Sequence, residues 1–302
     1  MSILHNVIFQ VIKRGKKAYD PDNPPDYVKK RMQEERTVPN KLPRGIQCKK
    51  IELENLKGEY LYTESNQKKK HIVYIHGGGF VSGSTKTVRP LVSELVKRTG
   101  CNVVSIEYRL APEYPFPSAP EDCFKAYCTL EKKFGGSNII LMGESAGGNL
   151  VLTTVLQAKD KRVPLPAGIV VMAPTIQFDH VFPSYYDNLD TDCMISNLQQ
   201  EIREVYLQSD EPSVLHNPYA APYYGDYTGF PPTFVIVSDS EVLRDDSLFL
   251  YKKLVEAGVK SKLSLFHKMM HIFQVTPSLP ESRQAYRQIK DFIKDIILQD
   301  KA

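Results

Sequence analysis

Short, almost continuously apolar runs recur along the chain, and between them lie longer stretches with helical spacing. His71-Ile72-Val73-Tyr74-Ile75, Ile139-Ile140-Leu141-Met142 and Thr233-Phe234-Val235-Ile236-Val237 are runs of this kind. Such runs fit strands covered on both faces. The pattern predicts strands near 47–54, 58–64, 71–76, 102–107, 138–142, 168–173, 233–238 and 261–266. Helices are predicted over 87–99, 118–134, 146–158, 243–257 and 281–297. The first two strands read as an antiparallel start. The strict alternation afterwards argues for an α/β fold, a mostly parallel eight-stranded sheet with helices on both faces. Residues 1 to about 45 read as short helices and a Pro-rich connection, Pro21 through Pro43. Residues from about 176 to 217 interrupt the alternation, with one helix expected near Asp192 to Gln208.

One apolar run ends in Gly143-Glu144-Ser145-Ala146-Gly147, and a helical pattern follows it. Strand, sharp turn and helix with a serine at the turn is the pattern of a nucleophile elbow. Glycine flanks the serine because a Cβ would collide with neighbouring backbone in so tight a turn. The helix that follows points its N-terminus at the serine.

A second run ends in His76-Gly77-Gly78-Gly79-Phe80. Three successive glycines free the backbone to aim N–H groups at one point. Preorganised donors of this sort stabilise the oxyanion of acyl transfer, together with the amide after the nucleophile, here Ala146. No Lys-Ser/Thr follows Gly79, so the loop is not a phosphate loop.

Acyl transfer by serine needs a histidine base and a carboxylate to orient it, in the chain order serine, acid, histidine. Four histidines follow Ser145: His180, His216, His267 and His271. His271 lies past the run 262–267 in a loop ahead of the last helix, where an exposed, mobile imidazole is expected. His267 ends that run and is the second choice, while His180 and His216 fall in the interrupting segment. For the acid, Asp239, Glu241, Asp245 and Asp246 follow the run 233–238. Asp245 and Asp246 open a helix and serve its dipole. Spacing leaves Asp239 and Glu241 as alternatives.

Beyond these motifs stand Tyr108-Arg109-Leu110-Ala111-Pro112-Glu113 with Phe116-Pro117, Glu241-Val242-Leu243-Arg244-Asp245-Asp246 and Met270-His271-Ile272-Phe273. Together, over roughly residues 70 to 275, the chain resembles the hormone-sensitive-lipase-like esterases of the α/β-hydrolase superfamily. That group includes bacterial carboxylesterases and arylacetamide deacetylase. The resemblance implies an α/β-hydrolase fold in a single domain spanning 1–302. It also implies a helical cap formed by about 1–45 and about 176–217. It assigns the triad to Ser145, His271 and Glu241, and the oxyanion donors to Gly78, Gly79 and Ala146. Glu241 stands where the family usually has Asp, and Ile272 where the family has Gly, so the loop after the histidine is stiffer here. Arg109, Glu113 and Asp122 are expected to form a buried bracing network.

Composition adds limits. The 302 residues are 42% apolar, enough for a sizeable core. Five cysteines at Cys48, Cys101, Cys123, Cys128 and Cys193 show no metal-binding spacing, so reduced thiols in a cytoplasmic protein are expected. No metal or cofactor is required by the chemistry. Net charge is +4, with basic clusters at 13–17, 29–31 and 68–70 that read as solvated surface. No nucleic-acid motif accompanies them. The N-terminal apolar residues are too few and too interrupted for a membrane span. The sequence leaves the oligomeric state open, with a homodimer, the commonest soluble oligomer, as one possibility.

These readings predict a serine carboxylesterase that cleaves short-chain acyl esters through an acyl-enzyme, with activity rising as His271 deprotonates around pH 6 to 7. The alternatives are an acetyl esterase or deacetylase acting on an acetylated carbohydrate or aryl amide, and a non-catalytic ligand-binding protein on the same scaffold. Tyr185, Tyr186, Tyr223, Tyr224 and Tyr227 are the aromatic residues that could line a sugar site.

Overall fold

Alternation of side chains across each strand builds the two halves of the core. In the computed structural model, which describes residues 3–39, 41–65, 70–179, 182–196 and 198–299, eight strands form one sheet. They are β1 (Gln47–Leu53), β2 (Leu56–Tyr62), β3 (His71–Ile75), β4 (Asn102–Glu107), β5 (Ile139–Glu144), β6 (Gly168–Met172), β7 (Thr233–Ser238) and β8 (Ser261–Phe266). Their order is β1-β2-β4-β3-β5-β6-β7-β8. β1–β2 and β2–β4 pair antiparallel, and all other neighbours pair parallel.

The helices are α1 (Ile3–Gly15), α2 (Tyr27–Thr37), α3 (Arg89–Thr99), α4 (Ser118–Phe134), α5 (Ala146–Asp160), α6 (Ser184–Asp187), α7 (Leu198–Glu201), α8 (Pro212–Leu215), α9 (Arg244–Glu256) and α10 (Pro280–Gln299). Val73, Ile75, Leu141 and Val235 face one way, into a core shared with α4, α5 and α9. Ile72, Tyr74, Ile140 and Phe234 face the other, into a core shared with α3 and α10. Burial on both faces is why these strands read as unbroken apolar runs.

The chain moves outward from β3 to β4, then crosses back over β3 to β5. The carboxyl ends of β3 and β5 therefore adjoin, with Ile75 opposite Gly143. Crevices at such a reversal are where open parallel sheets bind ligands.

The segment between β6 and β7 corrects one expectation. The helix predicted over Asp192 to Gln208 is confined to α7 and a π-helical stretch, Ile202–Leu207. The Asp192 carboxylate accepts the N–H groups of Met194 and Ile195 at 2.8 and 2.9 Å, and with its other oxygen the N–H of Val242 at 2.9 Å. A side chain that captures nearby amides competes with the helix for them. Among the described residues, no helix is long and apolar enough to cross a membrane.

Candidate active site

β5 delivers Ser145 to the sheet edge in a conformation that non-glycine residues rarely adopt, φ +53° and ψ −122°. Strain of this kind persists only where its surroundings over-determine it. Here Ser145 N–H donates to Met172 O at 2.9 Å, and Ser145 O accepts Asn149 N–H at 3.1 Å. Gly147 makes the turn possible by close approach: a Cβ there would lie 2.2 Å from Ile75 O and 2.5 Å from His76 O.

β7 and β8 bring in two carboxylate–imidazole pairs. Glu241 Oε2 accepts His271 Nδ1–H at 2.5 Å, while Glu241 Oε1 accepts the Ser238 N–H at 2.6 Å. Asp239 Oδ2 lies 2.6 Å from His267 Nδ1. The two acids that spacing left as alternatives thus each take a different histidine. The His267 side chain is 74% exposed, and that of His271 is 5% exposed. The expectation of an exposed, mobile His271 is therefore wrong: α1 and the segment after β6 cover its loop. His271 lines the same cavity as Ser145, and His267 does not. Burial works to lower the pKa of His271, yet the hydrogen bond and charge of Glu241 outweigh it, and the imidazole titrates above its ordinary 6.5.

The other candidates go elsewhere. Asp245 accepts the Ser184 N–H at 2.9 Å. Asp246 accepts the Ile176 N–H and the Tyr185 hydroxyl, and burial pushes its carboxyl up to about 8. His216 sits on the surface beside Asp179. His180 lies outside the described residues, as do Lys68 and Lys69 of the third basic cluster.

The His76–Phe80 loop follows β3. Gly78 and Gly79 hold φ of +114° and +63°, and a Cβ on Gly78 would meet Ser82 O at 2.3 Å. Gly78 O accepts Val81 N–H and Ser82 N–H, which closes the turn. Glu144, expected as a residue of the serine motif with no role of its own, braces this loop. Its Oε1 accepts the Gly77 N–H at 2.7 Å and its Oε2 the Tyr74 hydroxyl at 2.5 Å. Burial raises the Glu144 carboxyl to about 7. His76 stacks on Tyr108, with centroids 4.3 Å apart, and the Tyr108 hydroxyl donates to His76 O. Phe80 stacks on Tyr206 of the π-helical stretch at 3.9 Å. A buried acid beside the serine was the one available signal for Glu144; nothing local marked Tyr206. The bracing network also differs in part from expectation. Arg109 grips Asp122 through two nitrogens, but Glu113 pairs with Arg31 of α2.

Gly77, Gly78, Gly79, Glu144, Ser145 and His271 line a cavity of about 590 Å³. Ala146 follows Ser145 at the first position of α5, with its side chain buried. The opposite wall combines the N-terminal segment, with Lys17, Lys30 and Glu34, and the segment after β6, with Met194, Ser196 and Glu201. These two segments are tied together. Lys13 Nζ donates to Asp190 O at 2.6 Å, Lys16 Nζ to Leu189 O at 2.7 Å, and the Tyr27 hydroxyl to Glu201 at 3.0 Å. None of the five tyrosines considered for a sugar site lines the cavity. Tyr185 is core, and Tyr223 stacks on Phe249. Among the described residues, no group of three or more His, Cys, Asp or Glu side chains could hold a metal ion.

Comparison with known proteins follows the same lines. Residues 72–275 match a family model described as alpha/beta hydrolase fold. An esterase of Acinetobacter venetianus is 32% identical over 257 residues, 84% of each chain. An acetyl-hydrolase of Streptomyces hygroscopicus is 31% identical over 233 residues, 76% of this chain and 77% of that one. The crystal structure of an esterase from the bacterial hormone-sensitive lipase family superposes with a TM-score of 0.89 at 31% identity, covering 98% of this chain and 99% of the other.

Proposed function

Since the chain belongs to the hormone-sensitive-lipase-like branch of the α/β-hydrolase family and is a carboxylic ester hydrolase, we propose that Ser145, His271 and Glu241 are its catalytic triad. The observation that carries this reading is the buried Glu241–His271 pair in the cavity that also holds Ser145.

In the reaction, Glu241 keeps the proton of His271 on Nδ1, so that Nε2 has a free lone pair. His271 Nε2 takes the Ser145 hydroxyl proton as Oγ attacks the ester carbonyl. The N–H groups of Gly78, Gly79 and Ala146 stabilise the oxyanion of the tetrahedral intermediate. His271 then returns the proton to the departing alcohol, which leaves Ser145 acylated. Water, deprotonated by His271, attacks the acyl carbonyl, and the acid departs as Ser145 regains its proton. The N-terminal segment and the segment between β6 and β7 act as a cap that keeps bulk water from the acyl-enzyme. A cavity of about 590 Å³ that the reacting groups must share with the substrate supports short acyl chains, as does the similarity to an acetyl-hydrolase. Five thiols, none of them joined in a disulfide, support a reducing compartment such as the cytoplasm.

Hydrolysis of p-nitrophenyl esters from acetate to palmitate, with Ser145→Ala beside the wild type, tests the reading. The expected result is a maximum at short chains, with turnover abolished in a folded variant. Turnover retained in Ser145→Ala would sink the triad, and a maximum at palmitate would sink the short-chain assignment. A paired ester and amide of one acyl group separates an esterase from an amide deacetylase.

A further inference from the structure

The loop that carries His271 is backbone under tension. It enters the left-handed region at two residues that are not glycine, Lys268 with φ +53° and Ile272 with φ +51°. Ile272 is β-branched, the residue type for which that region is least accessible. Each such position persists only where neighbouring structure holds it.

The loop is held from two sides. From the sheet, Ser238 Oγ accepts the Met269 N–H at 2.9 Å, Ser240 Oγ donates to Met269 O at 3.1 Å, and Asp239 accepts the Lys268 N–H at 2.7 Å. From the opposite side comes a residue 265 positions earlier in the chain: the Met270 N–H donates to His5 Nε2 at 3.2 Å. Met270 immediately precedes His271, so this bond anchors the Met269–Met270 peptide, one residue before the imidazole. His5 belongs to α1 and is 1% exposed. Ile8, Phe9 and Ile12 of the same helix pack on the cluster that contains Met269, Met270, Ile272 and Phe273. The apolar contacts seat the helix, and the imidazole supplies a directional tie. Burial lowers the pKa of His5, so the ring stays neutral and its Nε2 can accept.

We propose that His5 is a positioning residue for ester hydrolysis, one that aims His271 at Ser145 by accepting the Met270 N–H. This inference rests on the reading of His271 as the base. It gives α1 a part in catalysis although none of its residues lines the cavity.

Three variants test it in the full-length protein: His5→Leu, His5→Gln and His5→Asn. Leucine fills similar space without an acceptor. Glutamine places an oxygen where Nε2 stood, and asparagine is polar but too short to reach Met270 N–H. The measurements are kcat and KM on p-nitrophenyl butyrate, the acid limb of the pH–rate profile, and thermal unfolding. We expect His5→Leu and His5→Asn to lose about tenfold or more in kcat, with KM nearly unchanged, because small misplacements of a reacting group are costly. Their acid limb should shift as the His271–Glu241 geometry relaxes, and His5→Gln should recover most of the loss. Wild-type kcat and pH profile in folded His5→Leu or His5→Asn would overturn the proposal. So would equal losses in His5→Gln and His5→Asn. If His5→Leu does not fold, the Gln–Asn comparison decides by the same criteria. His271→Ala is measured alongside: activity retained there sinks the base assignment itself, whatever the His5 variants do.

Discussion

Replacing Glu241 by Gln probes the contact that orients the His271 imidazole. The carboxylate accepts twice, from Ser238 N–H at 2.6 Å and from His271 Nδ1–H at 2.5 Å. Glutamine has the same shape but only one accepting end. If its oxygen keeps the Ser238 N–H, its NH₂ group faces Nδ1. The imidazole must then carry its proton on Nε2, where it cannot receive one from Ser145. If the amide flips, the His271 tautomer is preserved, but NH₂ meets the Ser238 N–H, donor against donor. The side chain there is 2% exposed, so water offers little relief. A buried donor without an acceptor costs ~1–3 kcal/mol, which makes the productive orientation a minority by a factor of about 5 to 150. The neutral amide also no longer stabilises the imidazolium that forms in the transition state. The two effects together should lower kcat/KM by about 10³–10⁴, the loss typical of a triad that loses its carboxylate, or roughly 4–5 kcal/mol. KM should change little, because Glu241 does not line the cavity. The assay is initial rates on p-nitrophenyl butyrate from pH 6 to 9, with Asp239→Asn as the control. That control breaks the pair with His267, which is 74% exposed, while the remaining amide oxygen can still accept the Lys268 N–H that holds the loop, so its activity should stay within about twofold of wild type. If Glu241→Gln keeps more than about a tenth of the activity, or if Asp239→Asn is the more damaging change, the reasoning fails.

Three further outcomes are expected. Ile272, at φ +51° and 6% exposed, should be more stable as Gly than as Ala by ~1 kcal/mol, because a Cβ in the left-handed region costs about 1–2 kcal/mol. Urea denaturation that ranks Ala above Gly would show that the position is unstrained. Glu144 titrates near 7 when folded, against an ordinary 4.5. The folded chain therefore binds more protons than the unfolded chain between those values, and stability falls as pH rises through that window, by up to roughly 3 kcal/mol. Glu144→Gln should lose this part of the slope between pH 5 and 8, and an unchanged slope would refute the burial effect. Because Glu241 holds the His271 pKa above 6.5, the acid limb of kcat/KM should have its midpoint above that value and move down in Glu241→Gln. A wild-type midpoint below 6.5 would count against the pair.

Wherever the pattern is local, the sequence by itself determined the outcome. β3, β5 and β7 were legible as apolar runs because both of their faces are covered, and α4 and α5 because their spacing survives packing. The serine elbow and the glycine loop were legible for the same reason, since a turn's steric demands are met by adjacent residues. Pairing at long range was not legible. Asp239 and Glu241 look alike in the chain, and only the register of β7 on β8, with Ser238 opposite Phe266, gives each its own histidine. The helix expected at Asp192 was lost to a carboxylate that holds Met194 and Ile195 locally and Val242 from 50 residues away. His271 looked exposed because nothing in its loop reveals that α1 folds over it and that His5 bonds the preceding amide. The tertiary structure decided these points because hydrogen-bond partners and burial depend on which segments meet, and hydrophobic periodicity records only that a face is covered, not by what.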